Sequence, residues 1–253
     1  MISMYSGTVG SGKTYHAVED IVDALNKGKY VIANFPLVFN ARQVKRGIAD
    51  RFMYLPDEHL MGVTGMKMLL DVSREHGWDQ DEKEGLCLVV IDEATNYFPR
   101  EDNTKPEQRL WRTFFTQSRK LGYDFVLIVQ DDQSINRTIS KCIEYDVKHR
   151  KANNIFPFSL LSFLKITIFV HVTYWKQQRT RLKSGSTIFV KKLSEMFATK
   201  KMFANFDGQL DVIMKSVNTD ELPSACFGNC RPDEDVDSGR GPREGAAVDI
   251  PSV

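Results

Sequence analysis

The sequence lacks most of the features that would place it at once in a specialised class. Its four cysteines, Cys87, Cys142, Cys226 and Cys230, are too few and too scattered over 253 residues for a disulfide framework. The opening stretch MISMYSGTVGSGKTY has neither a basic start nor an apolar core, so it does not read as a signal peptide. The two absences lead us to expect a reducing, cytoplasmic setting. Net charge is almost missing too, with 34 Lys plus Arg against 33 Asp plus Glu. An apolar fraction of 42% argues against a multi-span membrane protein and against a chain disordered throughout. What is left is one large domain, alone or with a small appendage.

The near-zero charge conceals a segregation. Residues 141–201 carry 13 basic and 3 acidic groups, a net +10, whereas residues 231–253 carry 3 basic and 6 acidic groups. A segment of that charge suits a polyanion, either single-stranded nucleic acid or an anionic membrane surface, although a solvated basic face would look the same.

Hydrophobic periodicity gives a coarse architecture. Residues 2–5 form a short strand, followed by a glycine-rich run. Residues 13–26 form a helix with Ala17, Ile21, Val22 and Leu25 on one face and Gly28 past its end. Residues 29–33 make a second strand, residues 63–74 a helix, and residues 106–121 a helix opened by Pro106 and closed by Gly122. The runs LCLVVI (86–91) and DFVLIV (124–129) are apolar without alternation, as in strands covered on both faces of a parallel sheet. A short helix is expected at 134–140 and a strand at 141–149. Residues 165–175 read as a further strand, 177–184 as a basic turn, and 187–191 as the hairpin's second strand. The organisation expected is a core over 1–150, a basic β-rich extension over 151–222, and a disordered acidic tail over 223–253. The fold class is α/β, with a mostly parallel central sheet.

The strongest chemical signal is the run Gly7, Thr8, Val9, Gly10, Ser11, Gly12, Lys13, Thr14, which satisfies G-x-x-x-x-G-K-[ST] between a strand and an amphipathic helix. Its glycines let successive N–H groups point at one phosphate, and the helix start adds its dipole. Lys13 supplies charge to the β- and γ-phosphates, and Thr14 a hydroxyl to Mg²⁺. Asp92 and Glu93 follow a buried strand, where open α/β sheets bind ligands. Asp92 suits Mg²⁺ through water, and Glu93 suits the water that attacks the γ-phosphate. Gln130 ends the next apolar strand and could sense that phosphate. Arg100 and Arg119 are candidate arginine fingers toward a neighbouring subunit, with Arg109 and Arg112 nearby. Cys226 and Cys230 have no second pair, and the histidines form no ligand pattern.

The combination GTVGSGKTYHAVEDI, YVIANF, LCLVVIDEATNYFPR and TQSRKLGYDFVLIVQDDQSIN resembles the zonular occludens toxin (Zot)-like proteins, a family that includes the gene I assembly proteins of filamentous bacteriophages. Tyr15 after the loop, Asn34 ending the second strand and the DEA-to-FPR stretch carry the resemblance beyond the common loop, over roughly 1–150. It implies a RecA-like ATPase using ATP and Mg²⁺ at the cytoplasmic face of the bacterial inner membrane. Such a protein works as a homo-oligomeric ring with phage coat and export proteins, extruding single-stranded phage DNA. By the same resemblance, residues 7–14, with Tyr15 beside them, bind nucleotide, and Asp92 and Glu93 form the Walker B pair. Alternatives of the same ATPase class are a DNA-packaging or conjugation-type translocase. A non-hydrolysing switch or toxin-like interaction factor is the alternative outside it. Family members typically carry a transmembrane helix after the ATPase domain. The best window here, residues 155–175, is interrupted by Pro157, Lys165 and His171, and its alternation suits a strand better than a span.

Overall fold

The computed structural model describes residues 1–80, 83–102, 104–152 and 167–197. In chain order the elements are β1 (Ile2–Ser6), α1 (Lys13–Asn26), β2 (Tyr30–Ala33), α2 (Ala41–Lys45), β3 (Phe52–Tyr54), α3 (Asp57–Leu60), α4 (Gly62–Glu75) and β4 (Cys87–Ile91). They continue with α5 (Pro106–Gln117), β5 (Tyr123–Val129), α6 (Arg137–Ser140), β6 (Tyr145–Lys151), β7 (Ile168–Trp175), β8 (Thr180–Ile188) and α7 (Lys191–Ser194).

All eight strands join one sheet in the order β3-β2-β4-β5-β1-β6-β7-β8. The six strands from β3 to β6 run parallel; β7 and β8 add antiparallel at one edge. Strands β1, β4 and β5 are buried at nearly every position, because helices cover both faces. On one face Ala17, Val18, Ile21 and Leu25 of α1 pack on Val31, Val90, Ile128 and Val147. On the other, Leu69 of α4 and Trp111, Phe114 and Phe115 of α5 pack on Met4, Val89, Phe125 and Leu127. The apolar stripe of α1 read from the sequence is this buried face, and Pro106 opens α5 where its missing N–H costs nothing.

Strand β5 stands between β1 and β4, so one strand separates the glycine-rich loop from the Asp92 strand. This is the RecA-like arrangement expected. Its consequence is positional: the C-terminal ends of β1, β5 and β4 lie side by side, presenting the loop, Gln130 and Asp92 along one rim.

Several expectations need correction. The turn at the hairpin tip spans only 176–179, and β8 begins at Thr180, so Arg181 and Lys183 belong to a strand and not to a basic turn. As an edge strand exposed along most of its length, β8 has no apolar alternation to betray it. Residues 187–191 straddle the end of β8 and the start of α7. Helix α5 stops at Gln117 and tightens into a 3₁₀ turn over Ser118–Leu121 before Gly122 at φ +80°. The short elements α2, β3 and α3 had no counterpart in the reading. The tail at 223–253, the cysteines Cys226 and Cys230, and most of the window 155–175 lie outside the described residues; the described part of that window is β7. Among the described residues no helix is long and apolar enough to cross a membrane.

Candidate functional site

The loop between β1 and α1 is shaped by three glycines with positive φ: Gly7 at +149°, Gly10 at +73° and Gly12 at +91°. Two of them are also needed for close approach. A Cβ on Gly7 would lie 2.6 Å from the His149 carbonyl oxygen, and one on Gly12 would lie 2.4 Å from the Phe169 ring. Thr8, Val9 and Gly10 are exposed at the crest, while Ser11 is buried with its hydroxyl unpartnered. An orphaned hydroxyl in the loop just before α1 is a group that an anion's oxygen would complete.

Lys13 folds back on the loop, donating to the Gly7 carbonyl at 2.7 Å and the Thr8 carbonyl at 3.1 Å. Burial lowers its pKa, opposed by the negative charge of Asp92 and Glu93. The Thr14 hydroxyl donates to Asp92 Oδ2 at 3.1 Å. Burial raises the Asp92 carboxyl, and the Glu93 N–H, 2.9 Å from Oδ1, together with the Thr14 hydroxyl pulls it back. The donor set, a hydroxyl and a carboxylate beside an ammonium, is what a divalent cation shared with phosphates requires.

Glu93 sits at φ +49°, one of two non-glycine residues with positive φ among those described. Such a backbone costs about 1–3 kcal/mol and persists only where its surroundings impose it. Here it turns the exposed carboxylate toward Gln130, whose Nε2 donates to Glu93 Oε1 at 3.0 Å. Lys13, Thr14, Asp92, Glu93 and Gln130 are therefore brought to one rim.

Asn34 plays a part in this site that the sequence reading used only as a mark of resemblance. Its Oδ1 accepts from the Asp92 N–H at 2.7 Å, and its Nδ2 donates to the Asp92 carbonyl at 3.0 Å and to Asp57 at 2.9 Å. The side chain thus clamps the backbone that carries Asp92 from both sides. Tyr97 closes the clamp with a hydrogen bond to Asp57. A lone amide ending an apolar strand was the available signal.

Tyr15, Arg100 and Arg119 make contacts away from the Glu93–Gln130 pair. The Tyr15 ring is buried and its hydroxyl is held by the β8 exit, donating to Ile188 O at 3.3 Å and accepting from Val190 N at 3.0 Å. Arg100 is exposed and donates to the Gln133 carbonyl at 3.4 Å, in the loop that follows Gln130. Arg119 precedes β5, at the sheet end opposite the loop, and pairs with Glu144 at 2.6 Å and Glu84 at 3.9 Å.

Comparison with known proteins gives consistent results. A sequence model of the family described as zonular occludens toxin (Zot) matches residues 1–194. The "Gene 1 protein" of Enterobacteria phage fd is 29% identical over 157 residues, covering 60% of this chain and 43% of that protein. The "Gene 1 protein" of Enterobacteria phage I2-2 is 26% identical over 171 residues, covering 64% of this chain and 44% of that protein. The chain thus spans less than half the length of these curated relatives. Among solved structures, the N-terminal domain of zonular occludens toxin from Neisseria meningitidis aligns with TM-score 0.45 at 15% identity, covering 78% of this chain and 98% of that one. The genome packaging NTPase B204 of Sulfolobus turreted icosahedral virus 2, solved with ATP-gammaS, aligns with TM-score 0.47 at 14% identity, covering 75% and 96%.

Proposed function

The chain belongs to the zonular occludens toxin (Zot) family, and on that premise we propose that it is an ATP-hydrolysing motor for filamentous phage assembly. Its work is to extrude single-stranded DNA at the cytoplasmic face of the bacterial inner membrane, as a homo-oligomeric ring with phage coat and export proteins. The observation that carries the reading is the rim where Lys13, Thr14 and Asp92 meet the Glu93–Gln130 pair.

The residues divide the task. The N–H groups of the loop bind the triphosphate, and Lys13 exchanges the carbonyls of Gly7 and Thr8 for phosphate oxygens. Thr14 and Asp92 would hold Mg²⁺, which when bound adds positive charge to those oxygens. Glu93 polarises the attacking water and takes its proton, while the Gln130 amide fixes the orientation of that carboxylate. Arg100, near the rim, and Arg119, at the far end, are the candidates for a contact in trans. Asn34 is a positioning residue: it touches no reacting atom but fixes the strand end that carries the acids.

The basic hairpin supplies the polymer contact in this reading. Strand register places Arg150 of β6, Tyr174 of β7 and Arg181 of β8 on one face, where Lys148 is paired with Asp132 and Asp146. Cations around an aromatic ring suit a single strand, by phosphate neutralisation and base stacking. The test is steady-state ATP turnover with single-stranded DNA or with anionic vesicles. Stimulation by DNA that falls in an Arg150→Gln, Arg181→Gln variant supports the reading; stimulation by vesicles alone would assign the face to lipid.

A further inference from the structure

The phosphate loop is flanked by an aromatic wall that the reading so far leaves without a task. Phe169, the second residue of β7, has its ring so close to Gly12 that a single Cβ there would meet it at 2.4 Å. Phe189, just past β8, lies 5.5 Å from the Tyr15 ring and 6.4 Å from Phe169, and Tyr15 and Phe169 are 5.6 Å apart. The three rings are fixed to each other and to the helix that begins at Lys13. Tyr15 is 4% exposed and is the buried strut; Phe189 keeps 41% of its surface open, flanked by Ile188 at 60% and Val190 at 53%. Exposed apolar surface beside the glycine-rich loop fits the part of a nucleotide that phosphate groups cannot satisfy.

We propose that Phe189 and Phe169, carried by the C-terminal hairpin and braced by Tyr15, form the base subsite of the nucleotide bound in the loop, holding a purine by stacking. This rests on the nucleotide-binding reading and adds where the base goes. The wall offers the base ring faces and little else: the Tyr15 hydroxyl is already engaged by Ile188 and Val190. Recognition by face tolerates either purine and penalises pyrimidines, which have less surface to stack. It also makes the base a bridge between the parallel core and the hairpin, since the loop holds one end of the ligand and β7–β8 the other.

Calorimetric titration of the full chain with magnesium and either a non-hydrolysable ATP analogue or inorganic tripolyphosphate tests this. Phe189→Ala is expected to weaken the analogue about tenfold and to leave tripolyphosphate within about twofold of wild type. Phe189→Trp is expected to restore the analogue's affinity, which separates stacking from loss of fold. A GTP analogue is expected to bind within about threefold of the ATP analogue. Equal weakening of analogue and tripolyphosphate by Phe189→Ala, or no weakening of the analogue, would overturn the subsite while leaving the phosphate loop standing. Wild-type protein that binds neither ligand would remove both.

Discussion

The two sides of the sheet are built by different rules. From β3 to β6 the strands are parallel and their central members are buried on both faces; the groups assigned to the proposed reaction gather at their C-terminal ends. From β7 to β8 the strands are antiparallel and mostly half-buried or exposed, and the turn and β8 carry Lys176, Arg179, Arg181 and Lys183. The core side is held by apolar area. The hairpin is held by the backbone ladder of β7 on β6 and by a seam of ring contacts: His16, His149 and His171 packed ring on ring beside Tyr5, and Tyr15 with Phe169 and Phe189. That seam runs along α1, the helix that begins at Lys13. In the proposed reading the chemistry lies on the parallel side, and the hairpin touches it through α1, the helix that follows the glycine-rich loop.

The sharpest way to separate the two sides is Lys13→Ala. It removes the ammonium assigned to the phosphates in the proposed reading and is expected to weaken ATP binding by about 100-fold or more, because charged hydrogen bonds are the strong ones. Urea unfolding should show the hairpin seam untouched, with a small change in stability.

Gly12→Ala attacks the seam itself. The new Cβ suffers the φ of +91° and the Phe169 ring together. Backbone strain of about 1–2 kcal/mol should add to an overpacking cost of about 1–3 kcal/mol. In the double variant with Phe169→Ala the second part should disappear and the first remain. A strictly additive double variant, measured by urea denaturation, would mean the ring does not press on the loop.

Acid offers a milder probe. Burial pushes His149 down to about 3 and His16 and His171 to about 4, with Lys183 adding to the effect at His16 and His171. The folded seam thus stays unprotonated while the unfolded chain takes up protons below about 6.5. Stability should be full at neutral pH and fall as pH drops from about 6.5 toward 4, with proton uptake on unfolding approaching about three. Asp20, whose carboxyl is raised by burial beside Tyr5, offsets part of this at the acid end. Replacing His16 and His149 by Gln should flatten the profile in a thermal melt series.

How much of this was legible in the sequence follows the same division. The loop, the two continuous apolar strands and α1 could be read because burial on both faces leaves an unbroken signature, and the G-x-x-x-x-G-K-T spacing has one geometry. Strand β8 could not, because an exposed edge imposes no alternation on TRLKSGSTI. Strand β3 is three residues long, too short for any period to register. The Asn34 clamp needs a partner 58 residues away, and the Tyr15 strut needs Ile188 and Val190, so neither is visible locally. Arg119 and Arg100 are close in sequence, but β4 and β5 run parallel, so Arg100 after β4 and Arg119 before β5 fall at opposite ends of the sheet.

The central claim is that the rim hydrolyses what the loop binds. Single-turnover release of the γ-phosphate from loaded protein, comparing wild type with Glu93→Gln, tests it most directly. The account predicts release that slows by about 10²–10⁴-fold in the variant while ATP stays bound. Release at the wild-type rate from Glu93→Gln would contradict it.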